Sequence, residues 1–327
     1  MIPPAGSSGF ILSAIPAFIK GHMREIDYLG KRVIRWERGG STFLAWPEGG
    51  ARLMNWNVSF PDGSFRDVIH WPDLKTLDNI GSVRGGNPIL FPFCGRSFDQ
   101  GEIGYWQTPE GERRPMPIHG FARDRSFEIA NLNANGFDAR LLPEETDHER
   151  YPYRYEFTVS YRFEALALYV ELRLRNHDTK PIPWAAGHHF YFTLPWAENT
   201  NREDYRIALP AKEAYRHQNG ELVPLPDFPA EDTFGNPALS DRIHTGLKKN
   251  LVSFREVEGN TKVDIRIGQG GKPDRGLALV TWTEKEDSPF YCVEPWMAPP
   301  GAPRHGLGLR MVPPGKTDTF TVEIAVG

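Results

Sequence analysis

The chain has 327 residues, of which 39% are hydrophobic, and a formal net charge of −4. That is enough apolar material to bury a large core. Its 38 Lys and Arg against 42 Asp and Glu form no basic block of the kind that grips a polyanion, so nucleic acid is not an expected partner. Two cysteines, Cys94 and Cys292, are too few for a secreted disulfide framework. They are free thiols or one bridge.

Residues 1–22 read as an N-terminal extension. Within it, Phe10 to Ile19 is apolar, but it is only about half the length of a membrane span. Pro16 interrupts it and no basic residue precedes it, so it predicts neither a span nor a signal peptide. A cytoplasmic protein with no membrane partner is expected. From 23 to 327 the chain reads as a single domain. Gly (32) and Pro (29) are frequent, which predicts many turns and short elements. The clearest helix candidate, Asp73 to Asn79, is short. Strict alternation then dominates. Tyr155, Phe157, Val159, Tyr161 and Phe163 share one face, and Leu166, Leu168, Val170, Leu172 and Leu174 share another. A turn near Glu164 joins them as a β-hairpin. Pro210 to Pro237 and Gly268 to Arg275 read as long loops. Val263, Ile265 and Ile267 alternate, as do Phe320, Val322, Ile324 and Val326. The prediction is an all-β fold, one large antiparallel β-sandwich whose concave faces and long loops form ligand clefts.

Four segments hold candidate chemistry. Arg84-Gly-Gly-Asn-Pro-Ile-Leu-Phe-Pro-Phe-Cys-Gly-Arg96 is stiffened by two prolines and three glycines and ends on Arg96. Its planar fork of donors suits hydroxyl groups; the competing reading is a packed loop with Arg96 in a surface ion pair. Pro117-Ile-His-Gly-Phe-Ala-Arg123 sets His119 beside a glycine, as a ligand contact or a structural histidine. In Trp184-Ala-Ala-Gly-His-His-Phe-Tyr-Phe192, an extended backbone sends His188 and His189 to opposite faces, so only one faces a given cleft. No Cys or acidic residue stands at zinc-site spacing, and no metal centre is expected. In Pro289-Phe-Tyr-Cys-Val-Glu-Pro-Trp-Met297, Glu294 sits within an apolar strand. Burial there is costly unless the carboxylate is paired or functional, and it raises the pKa toward the range of a general base at neutral pH. The alternative is an ion pair with Arg96 or Arg310.

Taken in order, these motifs, closed by Arg310-Met-Val-Pro-Pro-Gly-Lys316 and an alternating strand, resemble the aldose 1-epimerase (galactose mutarotase-like) family. The resemblance runs from about Met23 to Gly327. It implies a sandwich with an open cleft on one sheet and a cofactor-free isomerase that interconverts the α and β anomers of a hexose. It implies Glu294 as base and His189 as acid, with His188 as the adjacent competitor and Phe190 where many members carry Pro. His119 and Arg96 match sugar-binding positions. Asp241 is the candidate for the family's hydroxyl-binding Asp, in surroundings that match less well. Trp296, Trp184 or Phe93 would stack on the sugar ring, or belong to the core. Glu294 and His189 are expected to flank a space about one sugar ring wide. The partner is a monosaccharide or a sugar phosphate, and the assembly a monomer or homodimer. The run Arg84-Gly-Gly-Asn-Pro also resembles the hexose-6-phosphate 1-epimerase branch, with Arg84, Arg123 or Arg125 to meet phosphate. The remaining alternatives are a non-catalytic carbohydrate-binding protein of the same fold and a structural sandwich with no sugar ligand.

Overall fold

Alternation along the chain becomes alternation between two faces of each strand. In the hairpin Tyr155–Phe163 and Ala167–Asn176, Phe163 pairs with Leu168, Val159 with Leu172 and Phe157 with Leu174. These residues, with Tyr161 and Val170, are buried on one side. The final strand, Thr317–Val326, pairs with the same hairpin and buries Phe320, Val322, Ile324 and Val326. β-Branched and aromatic residues fit this half-buried pleated surface.

The computed structural model describes residues 22–327 apart from Asp62, Glu198 and Asn260. The expected N-terminal extension, His22 aside, lies outside the described residues. Among the described residues, the larger of two main antiparallel sheets has 13 strands. Its central run is Phe65–Ile69, Phe190–Thr193, Phe290–Trp296, Ala278–Trp282 and Arg242–Thr245. The second sheet has nine strands and contains the hairpin above. The sheets meet through aromatic side chains. Trp36 and Phe43 of the larger sheet lie 4.9 and 4.4 Å from Phe163 of the smaller, and Phe192 lies 5.0 Å from Phe254. Each such side chain, fully buried, contributes about 1.5–3 kcal/mol of transfer free energy. The two sheets form the predicted sandwich.

One charged side chain is enclosed among these strands. Arg52 is fully buried in strand Arg52–Ser59. Its Nη1 donates to the Gly85 carbonyl (2.8 Å) and its Nη2 to the Ile80 carbonyl (2.9 Å). Burial pushes this guanidinium down to about 10, still cationic at neutral pH.

Two expectations are corrected. Asp73 to Asn79 is not helical, and only a single 3-10 turn, Ile80–Ser82, follows it. Asp73, Thr76, Asp78 and Asn79 favour turns over helix interiors. The expected loop from Pro210 to Pro237 contains strands Glu213–Gln218, Glu221–Leu225 and Glu231–Thr233. The first two form a hairpin through Asn219 and Gly220, both at positive φ (49° and 83°). Gly268 to Arg275 is irregular, as read. Cys94 and Cys292 are both free and buried. No helix among the described residues is long and apolar enough to cross a membrane.

Candidate active site

The strand Phe290–Trp296 is buried along its whole length. Val293 and Tyr291 point into the sandwich, so Cys292, Glu294 and Trp296 point to the other face of the large sheet. A cleft of about 890 Å³ opens there. Neighbouring strands add side chains in register: Tyr191 opposite Cys292, Val280 opposite Glu294, and Trp282 opposite Cys292. The loop Ile80–Gly85, held from beneath by Arg52, presents Ser82, Val83 and Arg84 to the cleft.

All five residues singled out from sequence line this one cleft: Arg96, His119, His189, Asp241 and Glu294. His189 and Glu294 meet on its floor, Nε2 to Oε2 3.4 Å apart, and are 7% and 1% exposed. They therefore touch and do not flank a ring-wide gap. The ion pairs considered for Glu294 are not formed: Arg310 is held by Asp318 and Asp274, and Arg96 is exposed with no ion pair or hydrogen bond among the described residues. His188 faces the opposite way, as alternation requires. It is fully buried, stacks near Phe190 and Phe320, and its Nδ1 lies 3.1 Å from Asn87 Nδ2. Asn87 Oδ1 in turn accepts from the His189 backbone N–H (3.1 Å), so one amide ties both histidines to the loop that precedes Arg96.

His119 adopts φ 65° and Gly120 φ 72°, a left-handed pair that turns the chain back under the cleft. A Cβ on Gly120 would sit 1.9 Å from the Phe91 carbonyl oxygen, so only glycine fits. The Gly95 N–H donates to His119 Nδ1 (3.2 Å), which leaves the ring proton on Nε2. The His119 ring lies 5.4 Å from His189 and 5.6 Å from Trp296. His189 stacks on Tyr191 (4.8 Å) and meets Trp282 edge-on (5.8 Å). Of the predicted stacking residues, Trp296 faces the cleft, whereas Trp184 and Phe93 belong to the core.

Desolvation dominates the electrostatics. Burial pushes the Glu294 carboxyl well above the usual carboxylate range; the Trp296 indole opposes this and the Asp241 charge reinforces it. Burial also drives His189 well below the ordinary imidazole value, helped by His119, Arg123 and Arg52. His119 falls to about 3 through burial and the charges of Arg123 and Arg96. Burial thus favours the neutral form of each group, the imidazole at His189 and the carboxylic acid at Glu294.

Sequence reasoning passed over Tyr191, Arg216, His217 and Trp282 as cleft residues. Arg216 and His217 reach the cleft from the Asn219-Gly220 hairpin, and that dipeptide is a hairpin signal. A second depression, about 580 Å³ on the outer face of the nine-stranded sheet, is lined by charges already paired, Arg162 with Asp138 and Arg266 with Glu323.

The sequence model of the family described as Aldose 1-epimerase matches residues 32–325. The chain belongs to the aldose 1-epimerase family. Protein LacX (plasmid) of Lactococcus lactis subsp. lactis is 26% identical over 231 residues, 65% of this chain and 73% of that protein. A galactose mutarotase related enzyme from Lactobacillus acidophilus superposes with a TM-score of 0.72 at 19% identity, covering 90% of this chain and 97% of its own. A galactose mutarotase-like protein from Clostridium acetobutylicum gives 0.74 at 16% identity, with coverages of 94% and 98%. At these identities the likeness to the solved structures is one of fold. This aldose 1-epimerase family member keeps the whole sandwich of those proteins, and its cleft gathers the charged and aromatic side chains described above.

Proposed function

We propose that the protein is a cofactor-free aldose 1-epimerase, an isomerase that opens and recloses a hexose ring, with Glu294 and His189 as its proton carriers. One observation carries this reading: a buried carboxylate and a buried imidazole stand 3.4 Å apart on the floor of a cleft whose walls hold Arg96, His119 and Asp241. Anomers interconvert through the open-chain aldehyde. A base takes the proton from the C1 hydroxyl and an acid protonates the ring oxygen. The C1–ring-oxygen bond breaks as the C1 carbonyl forms. Rotation about C1–C2 and reversal of the same steps closes the ring on the other face. Both oxygens are bonded to C1, so the two carriers must stand side by side. Contact between Glu294 and His189 therefore suits the chemistry better than a ring-wide gap.

The pair needs one proton in total. Burial disfavours the charged form of both groups and so favours its seat on Glu294. Its passage to His189 gives the carboxylate base and imidazolium acid that the reaction uses. Each positioned transfer is worth about 10²–10⁴ in rate. Arg96, without a partner among the described residues, and His119 through its Nε2 proton hold sugar hydroxyls and steady the developing charge. Trp296 and Trp282 offer apolar faces to the ring.

Polarimetry of freshly dissolved α-glucose and α-galactose tests the reading. Glu294→Gln should lose at least about 100-fold in kcat with its circular dichroism unchanged; retained activity would remove the base. The wild-type kcat/KM profile should have two limbs. The acid limb should lie below the ordinary imidazole value, since His189 is depressed. Sugar binding without turnover would support a carbohydrate-binding role instead. A sugar phosphate is favoured by a separate observation: Arg84, Arg96, Arg123 and Arg216 all line the cleft. Parallel rates on glucose and glucose 6-phosphate decide between the two substrates.

A further inference from the structure

Cys292 has no part in the acid–base chemistry, yet it lies beside both groups that do. It stands two residues before Glu294 in strand Phe290–Trp296, so the pleat gives both side chains the same face. Its pairing partner is Tyr191, which stands two residues beyond His189. The result is a cluster drawn from distant parts of the chain. One nitrogen of His189, the Cys292 Sγ and one Glu294 carboxylate oxygen lie within 4.8 Å of one another. All three residues are buried. Glu294 Oε2, the carboxylate oxygen that faces His189 Nε2 across 3.4 Å, is buried without a hydrogen-bond partner. Unsatisfied buried polar atoms are rare and call for an explanation.

We propose that His189, Cys292 and Glu294 form a Zn²⁺ site, and that zinc seated there reversibly inhibits the enzyme. The metal site stands on the cluster alone; the inhibition rests on the acid–base reading above. The donor set selects the ion. One nitrogen, one sulfur and one carboxylate oxygen suit zinc, whereas Mg²⁺ and Ca²⁺ seek oxygen ligands. Zinc holds such donors at about 2.0–2.3 Å in a tetrahedron, which sets them about 3.3–3.7 Å from one another. The imidazole–carboxylate edge is already 3.4 Å, and side-chain torsions close the rest. A thiolate and a carboxylate balance the two positive charges, so the filled site is neutral in its buried setting. Three protein ligands leave a fourth position turned toward the cleft, open to water or a sugar hydroxyl. The metal occupies the Glu294 lone pair that would accept the C1 hydroxyl proton and the His189 nitrogen that would take up that carboxyl's proton for the ring oxygen, which is why it inhibits.

The full chain, stripped with a chelator, is titrated with ZnCl₂ by equilibrium dialysis while mutarotation is followed in parallel. One zinc should bind per chain, and activity should fall in step with occupancy and return on adding EDTA. MgCl₂ should do neither. Cys292→Ala should keep its mutarotation but bind zinc at least about tenfold more weakly, since even outer-shell changes cost about 10–100-fold. Cobalt in the wild type should show a thiolate-to-metal charge-transfer band that Cys292→Ala lacks. If Cys292→Ala does not fold, Cys292→Ser and the wild-type cobalt spectrum carry the same test. Equal zinc affinity in the cysteine variants, or a cobalt spectrum without the thiolate band, overturns the site. Zinc bound at this site with activity intact overturns the inhibition. A chain without mutarotase activity would still bind zinc here, and an active chain that binds none would lose only this inference.

Discussion

His188 offers the sharpest test of how burial governs the site, because it lies behind the cleft and can be changed without touching it. Its ring is fully buried, with Nδ1 near the Asn87 amide and Nε2 unpartnered. Burial lowers it from 6.5 to about 3. Between these values the unfolded chain binds a proton that the native protein does not. Stability from this group is therefore complete above pH 6.5 and is lost as pH falls toward 3. Each pH unit within that window costs about 1.4 kcal/mol, so a fall from pH 7.5 to 4.5 removes about 2.7 kcal/mol. His188→Asn keeps an acceptor near the Nδ1 position and abolishes the titration. It creates a cavity, but that cost does not depend on pH. Urea unfolding of both proteins from pH 7.5 to 4.5, extrapolated linearly, should give curves that converge by about 2–3 kcal/mol as the medium is acidified. Parallel curves would show that His188 is protonated in the native state, and the account of its burial would fail.

Gly120→Ala should destabilise the protein by at least about 2 kcal/mol, through its left-handed backbone and the clash with the Phe91 carbonyl, and should raise KM by displacing His119. A melting temperature equal to that of the wild type would refute it. Asp147 is fully buried and accepts from Arg125 Nε (2.7 Å) and Nη2 (2.8 Å) and from the Glu144 N–H (3.0 Å). Asp147→Asn should cost about 1.5–3 kcal/mol by leaving Arg125 only the exposed Glu144 carboxylate, 3.5 Å away, read as a lower urea midpoint with an unchanged slope; an unaltered midpoint would count against the network.

The sandwich was legible because its long strands alternate with one wet and one dry face, as Tyr155 to Phe163 and Phe320 to Val326 do. The hairpin at Asn219 and Gly220 was not, because Arg216, His217 and Gln218 are polar residues on a sheet edge where both faces meet solvent or cleft. Alternation showed that His188 and His189 part company, but which of them meets the cleft depends on how the second sheet packs. The motifs placed Glu294, His189, His119 and Arg96 together through family resemblance. The proximity of Cys292 to His189 had no such signal: about a hundred residues separate them in sequence, and only strand pairing joins them. Protonation was also out of reach, since it follows from how much water the finished fold excludes.

Arg52 has a last implication. It grips the loop above it by the carbonyls of Ile80 and Gly85. Arg84 adds an ion pair with Glu284 and a place over the Trp282 ring, so the loop is held by its backbone and by that one arginine more than by Ser82 and Val83. The front of the cleft behaves as a bracket with exchangeable fittings. Substitutions at Ser82 and Val83 should therefore change what the cleft admits while Glu294 and His189 stay where the sheet has set them.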